Sequence, residues 1–179
     1  MKTIKRCIPV VLIAMVCVTL ALPVFSQSPK LSDPEIASVA VTANQIDIDY
    51  AAIAKEKSKD AEVLRFAETM ANDHKAVIAK ALALVTKLKV TPKDNDVSKK
   101  LLSEAEKTKK MLHSKSGEAF NKAYIDNEVA YHKAVIDAVE GLLIPSTENA
   151  ELKELLQRVV PALKTHLSHA QMVQKTVSK

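Results

Sequence analysis

The sequence predicts an all-α protein: four long antiparallel helices in a bundle, plus one short helix in the connection between the second and third. Three observations lead there. Apolar residues recur every three or four positions over stretches of roughly 25 residues, the spacing of one helix face. No stretch of useful length alternates apolar and polar residues as a half-buried strand would. The chain holds just two glycines, Gly117 and Gly141, so tight turns are few.

Each element follows from local signals. Ser32-Asp33-Pro34-Glu35 is a capping box with proline in the first turn, which starts the first helix. Ile36, Ala40, Ala43, Asp47, Tyr50 and Ala54 then share one face, and "KEKSKD" closes it in a tight connection. The second helix runs from Ala61 to about Leu88, until "VTPKDND" breaks it. A short, lysine-rich third helix covers Val97 to His113, with Leu101, Leu102, Ala105, Met111 and Leu112 as its apolar points. The fourth runs from Glu118 to Leu143 and carries Phe120, Tyr124, Tyr131, Val135 and Val139. "IPSTEN" reads as a loop in which Thr147 or Asn149 caps the last helix. That helix turns Leu152, Leu156, Val159, Leu163, Leu167 and Ala170 inward and contains Pro161, where a kink is expected because proline removes one backbone donor.

Ahead of the helices, "MKTIKR" is followed by an uncharged run from Cys7 to Leu22 and then "LPVFSQSPK". A basic start, an apolar middle and small residues at Val24 and Ser26 are the parts of a secretory signal peptide. We expect residues 1–26 to be a signal peptide, 27–32 a linker and 33–179 the bundle domain. The apolar run is shorter than the ~20 residues a spanning helix needs, and no later segment approaches that length. Cleavage would remove Lys2, Lys5 and Arg6 and no acid, taking the net charge from +5 to +2. Cys7 and Cys17 leave as well, so the exported domain stands on its core without disulfides. The expected address is the periplasm, with outer-membrane association or peripheral contact through the lysine-rich third helix left open.

Several function classes are disfavoured. Weak net charge, no tryptophan and few aromatics argue against a nucleic-acid partner. No Gly-x-Ser-x-Gly occurs, no glycine loop could cradle phosphate, and no cysteine follows residue 17, so a nucleophilic enzyme is not expected. Met70, Met111 and Met172 are widely spaced at core-like positions and do not form a copper motif.

What remains is a set of ionisable residues on faces reserved for apolar side chains. Val63, Ala67, Met70, His74, Val77 and Ala81 fall on one stripe of the second helix, so an imidazole occupies a core slot. Asp47 does so on the first helix, whereas Asp49 points away. Glu128 and His132 follow Phe120 and Tyr124 on the fourth, and His166 stands seven residues from Val159 and Val173 on the last, with His169 toward the edge. At ~1.5 Å per residue all five lie near mid-bundle. Isolated buried charges are disfavoured, while charges that pair or bind metal are tolerated. Asp47, His74, Glu128, His132 and His166 are therefore the expected metal ligands, with Fe, Mn, Zn or Cu as the ions such side chains hold between facing helices. The Glu-x-x-His repeat of di-iron bundles is absent. The competing reading is a polar cluster whose members satisfy one another without an ion.

The runs "ANQID" (Ala43 to Asp47), "FAETMANDH" (Phe66 to His74), "SGEAFNKAYIDNEVAYH" (Ser116 to His132) and "VPALKTHLSHA" (Val160 to Ala170) resemble the bacterial family of domains of unknown function numbered 4142. The resemblance covers Pro34 to Thr176 and puts the motif histidines at His74, His132 and His166. Asp47 stands where the family usually has glutamate, and Asn121 where aspartate is usual. The resemblance implies export and a ferritin-like four-helix bundle. It implies no established activity. Two expectations thus stand together: an exported metal-binding bundle, and a non-enzymatic structural or interaction bundle.

Overall fold

The computed structural model describes residues 30–177, so the expected signal segment and its cleavage point lie outside the described residues. The order is α1 (Asp33–Lys57), α2 (Ala61–Lys87), α3 (Asp96–His113), α4 (Gly117–Ala138), a π-helical turn (Val139–Leu143), α5 (Ile144–Ser146) and α6 (Ala150–Val177). Among the described residues there is no strand, and no helix is long and apolar enough to cross a membrane.

Caps set the helix starts. The Glu35 carboxylate accepts from the Ser32 backbone N–H at 3.0 Å and from its hydroxyl at 2.7 Å, reaching back over the first turn of α1. Asp60 caps α2 by accepting from Glu62 and Val63 N–H groups. Asn149 does the same for α6 with Glu151 and Leu152. The end of the bundle where α1 begins is tied twice. Asp33 accepts from the backbone N–H groups of Glu148 and Asn149, both at 2.9 Å. The Asn95 amide donates to the Glu35 carbonyl at 3.1 Å, fixing the start of α3 on α1.

Two clusters of buried side chains form the core, one at each end. α1 begins in an aliphatic cluster (Ile36, Val39) and ends in an aromatic one (Tyr50, Ile53). α6 runs the same way, from Leu152 and Leu156 to Ala170 and Val173, while α4 runs oppositely, from Phe120 and Tyr124 to Ile136 and Leu143. α2 starts at Val63 and Phe66 in the aromatic cluster and ends with Leu84 against the aliphatic one. Every pair of neighbouring long helices is therefore antiparallel: α1 with α2, α2 with α6, α6 with α4, and α4 with α1. α3 is the crossover that carries the chain back so that α2 and α4 point the same way, a single-crossover four-helix bundle.

Three local expectations need correction. The fourth helix does not run unbroken to Leu143: after Ala138 one turn widens to π geometry, and the first residues of "IPSTEN" continue as α5, leaving a loop at Thr147–Asn149. The wide turn contains Gly141 and ends at Leu143, two residues before Pro145, which lacks the N–H a regular ladder would use. Met172 is 57% exposed and not in the core. α6 continues through Pro161, whose missing donor frees the carbonyl of the exposed Gln157.

Candidate metal centre

The polar residues form a layer between the two clusters. On each long helix the sequence passes from one core to the other across one of them: Val39 to Tyr50 across Asp47, Ala71 to Leu84 across His74, Val129 to Ile136 across His132, Leu163 to Ala170 across His166. Exposure is 0% for Asp47 and Glu128, 1% for His132, 4% for His74 and 6% for His166, so all five expected residues turn inward. Asp49 faces out toward Lys109 at 3.8 Å, and His113 is exposed, both as their spacing predicts. His169 lies outside the layer and packs edge-on against Phe66, with centroids 5.1 Å apart.

Three imidazoles make a nearly equilateral triangle, with ring centroids 5.7 Å (His74 to His132), 5.2 Å (His74 to His166) and 5.5 Å (His132 to His166) apart. One nitrogen from each lies within 4.8 Å of the others. Each ring is held at its opposite nitrogen by an oxygen acceptor. His74 Nδ1 stands 2.7 Å from Asn44 Oδ1, His132 Nδ1 is 3.0 Å from the Glu128 carbonyl, and His166 Nε2 is 2.9 Å from Asp73 Oδ2. An oxygen acceptor requires the nitrogen facing it to carry the proton. The Asn44 amide cannot reverse freely, because its NH2 donates to the Ala40 carbonyl at 2.8 Å.

The neutral rings therefore aim lone pairs at one another: His74 Nε2, His132 Nε2 and His166 Nδ1 are buried and have no hydrogen-bond partner among the described residues. Both oxygens of Asp47 share that condition. Asp47 Oδ2 sits 3.0 Å from His74 Nε2 and 3.4 Å from His132 Nε2. A carboxylate oxygen facing two imine lone pairs is repulsive unless something positive lies between them. Glu128 forms a second triplet with Asp47 and His132, again within 4.8 Å.

Burial pushes the Asp47 carboxyl up, but the His74 contact and charge on the three imidazoles outweigh it, so Asp47 titrates below its usual value. Glu128 goes the other way. Burial and the neighbouring Asp47 charge hold it well above the usual value. Burial also lowers His132 and His166, although Asp47 pulls the first up and Asp73 the second. Lowered values for Asp47, His132 and His166 all favour the deprotonated ligands that metal binding needs.

The donor set fits a transition ion. Three imidazole nitrogens and one carboxylate oxygen suit a four-coordinate site, and the Asn44, Glu128 and Asp73 acceptors are the outer partners that fix ligand tautomers. Nitrogens on one ion at about 2.1 Å stand roughly 3.4 Å apart, so the triangle closes by small side-chain rotations. Asn44 and Asp73 escape a reading of apolar stripes, since Asn44 is only half-buried and the Asp73 side chain is 53% exposed. The signal for Asn44 was its place three residues before Asp47.

Fold and centre together define a single-crossover helical bundle with a buried histidine and carboxylate layer. The model of the family described as "Domain of unknown function (DUF4142)" matches residues 21–173, and the chain belongs to that family. Neither the curated proteins nor the solved structures contain a match to it.

Proposed function

We propose that this protein is an exported helical bundle that binds one divalent transition ion through His74, His132, His166 and Asp47. The observation that carries this reading is the convergence of three proton-free imidazole nitrogens on a buried carboxylate, each ring locked from behind by an oxygen acceptor. Zn2+ and Fe2+ are the ions that such an N3O set suits best. Export rests on the three-part amino-terminal segment, and cleavage after Ser26 would leave Gln27 as the first residue.

The test is elemental analysis of the purified full chain after exposure to a metal mixture and dialysis. About one equivalent of a single ion is expected, and none in His166→Ala. Wild-type protein that retains no metal overturns the reading. One observation favours the polar-cluster alternative: at 3.0 Å from Asp47, a His74 imidazolium would form a good ion pair. That proton satisfies one ring, however, and leaves His132 Nε2 and His166 Nδ1 unpaired, whereas one ion serves all three.

A further inference from the structure

A cavity of about 330 Å³ reaches the polar layer. Asn44, Asp47, His74, His132 and His166 are among its lining, with Tyr50, Tyr131 and Thr108 on the aromatic side. The rest is almost wholly aliphatic, with Val85, Val97, Leu101, Leu142, Leu152 and Leu156 among its walls and no aromatic ring at the aliphatic end of the bundle. Leu152 and His166 both line it, so it extends for roughly 20 Å along α6 at ~1.5 Å per residue. A volume of about 330 Å³ admits one short hydrocarbon chain and is too small for two long acyl chains. A methylene takes close to the ~30 Å³ of a water in the liquid, which gives a chain of about ten carbons. Small side chains border it where it meets solvent, since Ala130 and Ala134 of α4 are lining residues and exposed.

Charge specifies the other end of the occupant. A divalent ion held by His74, His132, His166 and Asp47 would put positive charge on the wall of an otherwise largely apolar cavity. Such a charge is costly unless an anion completes it. Zinc-type sites with four ligands also accept a fifth. We propose that the cavity holds a single-chain aliphatic carboxylate of about ten carbons, its tail in the aliphatic half of the bundle and its head group on the ion. This rests on the metal-binding reading above.

The test loads the full chain with Co2+ and titrates it with decanoate, following the cobalt visible spectrum and the heat of binding. Decanoate should change the spectrum and bind one to one, at least tenfold more tightly than butyrate, which lacks the tail, or decanol, which lacks the charge. Val135→Phe and Ala138→Phe, two variants that narrow the cavity from a partly exposed face, should each weaken decanoate tenfold or more and leave cobalt uptake unchanged. Cobalt retained with a spectrum that decanoate does not alter overturns the inference while the metal reading stands. Undiminished decanoate binding in whichever narrowed variants fold overturns the tail's placement. Failure of wild-type protein to take up cobalt overturns both.

Discussion

The two ends of the bundle solve the packing problem differently. All five phenylalanine and tyrosine side chains of the described residues lie on the α1 C-terminal side of the polar layer. There Phe120 stacks on Tyr124 with centroids 6.1 Å apart, Phe66 meets Tyr124 edge-on at 6.1 Å, and Tyr50 meets Tyr131 at 5.6 Å. The opposite end is built from valine, leucine, isoleucine and alanine, and the cavity lies there. Rings fill wide spaces between helix axes with few residues, whereas short aliphatic side chains leave space that close-packed interiors otherwise lack. The division teaches that ring packing is confined to one half while most of the open space lies in the other, with the ionisable layer as their border.

The sharpest break of that division is Phe66→Ala. Phe66 is fully buried, and its removal should cost ~3–5 kcal/mol in urea unfolding. A loss below ~2 kcal/mol would contradict a tightly packed aromatic half. Next, Asn44→Ala probes the border: it should weaken metal binding 10- to 100-fold by competition titration, because the His74 tautomer is no longer fixed, with little change in folding. Leu156→Ala in the cavity-bearing half should cost only about 2 kcal/mol, the low end for leucine, since the cavity already deprives that side chain of some contacts.

Acid sharpens the border further. In the metal-free protein His132 and His166 titrate below the ordinary 6.5, so the unfolded chain gains protons first as pH falls. Their contribution is complete above pH 6.5 and is lost toward their folded values. Glu128 opposes them. Its contribution is complete below its ordinary 4.5 and is lost as pH rises through its raised folded value. Glu128→Gln removes the opposing group, so Tm of the metal-free variant should fall more steeply from pH 7 to pH 5 than that of the metal-free wild type. The smallest expected effect is Ala138→Leu, which fills cavity space and should raise stability by ~0.5–1 kcal/mol.

Much of this was legible in the letters. The Ser32 to Glu35 box marked where α1 begins, and helical spacing put Asp47, His74, Glu128, His132 and His166 on inward faces, because burial acts on every third or fourth residue alike. Asn44 and Asp73 stayed hidden for a physical reason. Their work is done across the space between helices, α1 to α2 and α2 to α6, at positions whose own exposure is that of ordinary surface residues. The π turn after Ala138 was equally silent, since a shift of one hydrogen-bond register changes no residue preference that composition reveals. The distinct characters of the two cores needed topology as well as spacing, because only the α3 crossover sets the aromatic starts of α2 and α4 side by side.

Asp33 has a mechanical consequence. By clasping the backbone of Glu148 and Asn149 it welds the first turn of α1 to the link before α6. Lys30, the first described residue, stands at this joint, with its ammonium 2.7 Å from Glu148. A pull on Lys30 would therefore load α1 and α6 together before either could peel.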